Sequence, residues 1–189
     1  MKVRNFIAVA ASVLMILACG APPPKPAPKP APQVVVPKLN MNDSRDVAGA
    51  SSVRRDDFAK TNVYRGPNIA NKQPDQLYIV ATKTDFGNIT YQIFAIINYS
   101  GAWRFYNNVH DAKGNDLDIT LMTRHLANCT RNDCAHNEHL VIDVTKQYLE
   151  ENMQSGLRLR VNGKAGEDEI FNIPSGYIKA FLSLPDYSR

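Results

Sequence analysis

The chain has 189 residues, 22 basic and 18 acidic, and a formal charge of +4, which suits one packed domain plus an extension. Lys2 and Arg4 belong to an N-terminal segment expected to be removed, and Lys25, Lys29 and Lys38 lie in a proline-rich stretch outside any core. The remainder is close to neutral, so the sequence pI near 9.0 is no footprint of nucleic-acid binding.

The N-terminus, MKVRNFIAVAASVLMILACG, joins a short basic start to an apolar run from Phe6 to Ala18 that ends on small residues and a cysteine. The run is short for a bilayer span and reads as a cleaved signal peptide over 1–18. Ile16-Leu17-Ala18-Cys19 resembles the lipobox of bacterial lipoprotein precursors. The resemblance implies lipid transfer to the Cys19 thiol, cleavage before Cys19 and acylation of the new amino group; Gly20 after the cysteine implies the outer membrane. Two or three acyl chains, at about 0.8 kcal/mol per buried CH₂, anchor a protein in a membrane. The resemblance covers roughly these twenty residues and none of the remaining chain.

APPPKPAPKPAPQVVVPK (21–38) holds eight of the twelve prolines. Alternating proline cannot build helix or ladder hydrogen bonds, so this stretch is expected to be extended polyproline II reaching on the order of 50 Å. LNMNDSRDVAGASS is small and polar and reads as more linker, giving a lipidated tether over 19–53 and one β-rich domain over 54–189.

In the domain, short apolar runs alternate with Gly, Asn, Asp and Pro. LYIVATKT (77–84) and ITYQIFAIINYS (89–100) flank a turn at Asp85-Phe86-Gly87-Asn88; the second run is apolar on both alternations and predicts a central strand covered on both faces. AWRFYNNV (102–109) leads into the turn DAKGND. DLDITLMTRHL, EHLVIDV, GLRLRVNG and DEIFNI complete the strands. A helix over about 143–155 is expected, with Asp143 or Thr145 as N-cap, Leu149 and Met153 facing inward and Gly156 closing it. A second is expected over about 175–182, after Pro174. The pattern predicts a mainly β fold, an antiparallel β-sandwich or open barrel with one or two short helices.

HLANCTRNDCAHNEHL (125–140) concentrates ligand-type side chains. With Cys19 lipidated, Cys129 and Cys134 are the remaining pair, and in an oxidising envelope they read as a disulfide across a hairpin with loop 130–133. That register sets Leu121 opposite Ile142, Thr123 opposite Leu140, Ile119 opposite Val144, His125 opposite Glu138 and Arg124 opposite His139. It places His125 and His139 on opposite faces, so no metal site is expected; His125, His136 and His139 stand as outside candidates, and C-x₄-C-x-H-x₂-H needs thiolates that a bridge removes. A bridged cysteine is no nucleophile either.

Asp116 with Asp118, and Glu167-Asp168-Glu169, flank turns and read as solubilising rather than catalytic carboxylates. No Gly-rich phosphate loop, GxSxG or HExxH occurs. Leu157, Leu159 and Val161 share one strand face, leaving Arg158 and Arg160, with Lys164, as a cationic row for an acidic partner, wall carboxylates or lipid headgroups. Trp103 and Tyr91 are expected in the core, whereas Tyr99 and Tyr106 are candidates for stacking on a glycan. The expectation is a non-enzymatic outer-membrane lipoprotein without a cofactor, facing the periplasm or the cell surface. Its domain would bind an envelope protein partner, with peptidoglycan or glycan binding, or a metal or enzymatic activity at the histidines, as alternatives.

Overall fold

The computed structural model describes residues 39–70, 72, 75–130, 134–164 and 166–187; the lipobox, Cys19 and the tether up to residue 38 lie outside them. In chain order the elements are α1 (Ser44–Ala50), β1 (Ser52–Asp56), β2 (Thr61–Arg65), β3 (Gln76–Thr84), β4 (Ile89–Ser100), β5 (Tyr106–Asp111), β6 (Asp116–Leu117), β7 (Ile119–Cys129), β8 (Cys134–Val144), α2 (Lys146–Asn152), β9 (Leu157–Gly163), β10 (Asp168–Ile173) and α3 (Ser175–Tyr187). They form two antiparallel sheets, sheet A in the order β1-β2-β3-β4-β8-β7 and sheet B in the order β10-β9-β5-β6. The fold is the mainly β architecture that the alternation predicts, an open sandwich rather than a closed barrel.

The core joins the inward residues of both sheets. Ile79, Ile93, Ile97, Leu140 and Ile142 from sheet A meet Val109, Leu159, Val161 and Phe171 from sheet B, with Tyr177, Ile178 and Phe181 from α3. The Tyr177 hydroxyl donates to Pro67 O (2.8 Å) and accepts from Ile79 N (3.3 Å), tying α3 to β3. Both bonds satisfy polar atoms that burial would otherwise strand.

Three expectations about elements change. Residues 44–53, read as linker, are α1 and the start of β1. Asp43 caps α1 by accepting from Arg45 N (2.9 Å), and Val47 is fully buried in the core. Once Val47 packs, a sequence of small residues folds where its composition suggests a tether. β4 is central, but only its odd residues are buried; Gln92, Phe94, Ile96 and Asn98 are half-buried on an outer face where Phe94 stacks on Tyr78 at 5.5 Å. The strand expected over 102–109 starts only at Tyr106, because Phe105 has φ of 55°, a conformation that breaks a ladder.

The helices sit close to where capping signals place them. Thr145, not Asp143, caps α2 through Tyr148 N (3.0 Å), and Gly156 follows at φ 78° with its N–H on Asn152 O (2.9 Å). Leu149 is fully buried and Met153 packs at the core's margin. α3 runs to Tyr187, past Pro185 in its last turn.

Two glycines separate packing from propensity. A Cβ at Gly66 would overlap the Tyr177 hydroxyl and the Phe181 ring, whereas one at Gly49 in α1 meets nothing. Gly66→Ala is therefore expected to lower unfolding free energy by about 1–3 kcal/mol. Gly49→Ala is expected to raise it by up to about 1 kcal/mol. Urea unfolding of both variants checks the pair, and an unchanged Gly49→Ala midpoint would count against a stable α1.

Candidate functional site

The β7–β8 hairpin sets the geometry of everything near its tip. Cys129 and Cys134 are directly opposed and disulfide-bonded. Behind the bridge the ladder slips twice, at irregularities between Leu121 and Thr123 and between Leu126 and Asn128. A one-residue slip turns side chains to the other face, and two of them overturn the uniform register. Leu121 faces Leu140, Ile119 faces Ile142, Arg124 faces Glu138 and His125 faces Asn137. The apolar sides still coincide, shifted by two residues.

The slip brings Arg124 onto Glu138. Glu138 is fully buried, facing inward beside Ile97. Its carboxylate accepts from Arg124 Nε (2.7 Å), Phe105 N (3.0 Å), Tyr106 N (3.2 Å) and the Tyr99 hydroxyl. Four donors, one of them charged, offset the desolvation that an isolated carboxylate would suffer there. Tyr99 also accepts from Arg104 N (3.1 Å), and burial, with Glu138 beside it, pushes its hydroxyl well above the usual phenol range.

Tyr99 and Tyr106, candidates for glycan stacking, are thus core residues, 6% and 1% exposed. Their hydroxyls are engaged by Glu138 and by Arg104 Nη1 (2.9 Å). Trp103 and Tyr91 pack in or against the core as expected. The turn carboxylates form ion pairs: Glu167 and Glu169 flank Arg104, Asp116 pairs with His110 and Asp168 lies 3.7 Å from Arg160.

The cationic row does reach an open surface. Two adjoining cavities of about 410 and 460 Å³ share Asp111, Ala112 and Arg158. Arg160, His110 and Ile170 extend this groove across the outer face of sheet B, where Arg160 lies opposite both His110 and Ile170. Lys113 and Asn152 line the other end, joined by a bond from Lys113 Nζ to Asn152 Oδ1 (2.9 Å). Among the described residues Arg158 has no ion-pair partner. Lys164 sits in the turn after β9 and does not line the groove.

Asp111 shapes the groove wall. It accepts from Lys113 N (2.8 Å), Asn115 N (2.9 Å), Asn115 Nδ2 (2.8 Å) and the Tyr148 hydroxyl (3.1 Å). Burial works to raise its carboxyl, but these bonds prevail and hold it below the usual range. Its charge is internally satisfied, so Arg158, with no ion-pair partner among the described residues, presents positive charge to the groove, beside Arg160, which Asp168 flanks at 3.7 Å. The arrangement is suited to holding a carboxylate or phosphate by charge-assisted hydrogen bonds. The sequence marks DAKGND only as a turn; nothing local shows that β5 and β9 pair and bring His110 beside Arg160.

The three histidines divide. His136 is buried, stacked on Tyr99 at 5.4 Å and edge-on to Trp103 at 4.2 Å. His125 and His139 lie together on the outer face of sheet A, ring centroids 5.3 Å apart; the expectation of opposite faces fails because of the register slip. Among the described residues no three His, Cys, Asp or Glu side chains converge as metal ligands.

Removing the Glu138 carboxylate should be severe. Glu138→Ala is expected to lose about 3–5 kcal/mol, and Arg124→Met less, because Arg124 is 27% exposed and Glu138 keeps three other donors. Denaturant unfolding ranks the two; the reverse order would refute the central role of the carboxylate. The native oxidised chain should titrate no thiol at Cys129 or Cys134. Removing the bridge should cost less than the ~3 kcal/mol of a 15-residue loop, read from midpoints with and without reductant.

Comparison with protein-family models, curated proteins and solved structures returns no match, so the functional reading rests on this chain's own groove, hairpin and N-terminus.

Proposed function

We propose that this chain is a non-enzymatic lipoprotein of a bacterial outer membrane, tethered through Cys19, whose β-sandwich binds an acidic surface of another envelope protein. The lipobox-like Ile16-Leu17-Ala18-Cys19 and the proline-rich stretch after it support the anchor and spacer. The Cys129–Cys134 bridge fits an oxidising compartment. Among the described residues no helix is long and apolar enough to cross a membrane.

The observation that carries the partner is the groove with Arg158 and Arg160 on its floor. Guanidinium groups on a rigid strand hold planar carboxylates in fixed geometry, with little ordering of the binding surface itself. The burial of Tyr99 and Tyr106 removes the aromatic platform that stacking on a glycan would use. Peptidoglycan is a second reading through its stem-peptide carboxylates, which the same arginines would hold.

Crosslinking in intact cells, followed by purification of the chain, should capture one stoichiometric envelope protein. The double charge reversal Arg158→Glu with Arg160→Glu should lose at least about tenfold of that capture, since juxtaposed like charges cost several kcal/mol. Equal capture by the reversed variant would refute the groove. Sedimentation of the chain with purified sacculi, dependent on the same arginines, would replace the protein partner with the wall.

A further inference from the structure

The outer face of sheet A carries a second cluster, apart from the groove. Asn137 lies directly opposite His125 across the β7–β8 ladder and two residues from His139 on β8. Asn137 and His139 face Asn98 and Ile96 of β4, both on the half-buried outer face. Neither imidazole takes part in a hydrogen bond or ion pair with another described residue, and each is at least partly open to solvent.

A hydrogen-bond relay orients the third member. Asp75 is 1% exposed, and its carboxylate accepts from Asn98 N (2.8 Å) and Asn98 Nδ2 (3.4 Å). A carboxylate only accepts, so Asn98 must turn its amide NH₂ toward Asp75 and its oxygen away. That oxygen accepts from Asn137 Nδ2 (2.7 Å). Asn137, 9% exposed, is then left with an Oδ1 atom that is buried and has no donor. An acceptor in that condition calls for a donor or a cation.

We propose that His125, His139 and the Asn137 side-chain oxygen form a binding site for a borderline divalent transition ion such as Zn²⁺. With metal–nitrogen bonds of about 2.0–2.1 Å and a tetrahedral angle between them, two ligating imidazoles have centroids roughly 5 Å apart. The observed 5.3 Å is close to that span. Two imidazoles and an amide oxygen select zinc, copper or nickel over calcium and magnesium. The disulfide keeps its thiols out of the ligand set, and the register slip between Leu126 and Asn128 is what brings the histidines to one face.

Calorimetric titration of the full chain in detergent, after dialysis against a chelator, tests this with Zn²⁺ alone and Ca²⁺ in a parallel run. One Zn²⁺ per chain and no Ca²⁺ uptake are expected. His125→Ala and His139→Ala should each weaken Zn²⁺ binding at least about tenfold. His110→Ala, on sheet B, should leave it unchanged. Zn²⁺ should also shift the ring-proton resonances of His125 and His139 and leave those of the buried His136 in place. Absence of saturable Zn²⁺ uptake would overturn the site, as would a His125→Ala/His139→Ala double variant that binds as tightly as the parent with unchanged thermal unfolding.

Discussion

The fold depends on a buried carboxylate that must be solvated by the chain itself. Glu138 projects from β8 of sheet A into the interior, and the groups that satisfy it come from both sides of the sandwich: Tyr99 and Arg124 from sheet A, and the Phe105 and Tyr106 amides where the chain enters sheet B. Because an unpaired charge in that position would be costly, the crossing at 101–106 brings the Phe105 and Tyr106 amides onto the carboxylate. Phe105 takes a positive φ so that two successive N–H groups can point at the same carboxylate, a small anion-holding nest. Arg104 extends the tie by engaging Tyr106 and pairing with Glu167 and Glu169.

The groove inherits its position from this crossing. β5 begins at Tyr106, the residue whose amide Glu138 holds, and β5 pairs with β9. The outward residues His110, Arg158 and Arg160 are thereby aligned on one surface. At the groove wall, Asp111 folds the loop after β5 back on itself and reaches α2 through Tyr148. A rigid scaffold of core strands thus supports loops and outward side chains available for recognition. The slips in β7 have a second consequence. They bend and twist the exposed edge of sheet A, which discourages indiscriminate strand addition there.

Much of the fold was legible residue by residue. Alternation in GLRLRVNG identified Leu157, Leu159 and Val161 as inward and the arginines as outward, because strand periodicity is a local property. The helix start, left between Asp143 and Thr145, and the glycine after α2 were legible for the same reason. The Cys129–Cys134 bridge was legible from the cysteine count and the compartment that the N-terminus implies, with the spacing in support. The helix over 44–50 was not legible, since its stability comes from Val47 entering a core built of distant strands. Nor was the fate of Tyr99 and Tyr106: a tyrosine beside a turn reads as a surface platform until the acceptor for its hydroxyl is known, and that acceptor lies 39 residues away in the case of Tyr99.

The sequence by itself determined the β-rich class, the stapled hairpin, the outward arginine row and the lipobox-like N-terminus, all features carried by nearest neighbours in the chain. Tertiary structure alone decided which residues meet across strands. The irregularity in β7 between Leu126 and Asn128 sets Arg124 on Glu138 and brings His125 and His139 to one face. The hydrophobic pattern is compatible with more than one even shift of register. In the arrangement observed, the irregular register sets Arg124 on the buried Glu138 carboxylate.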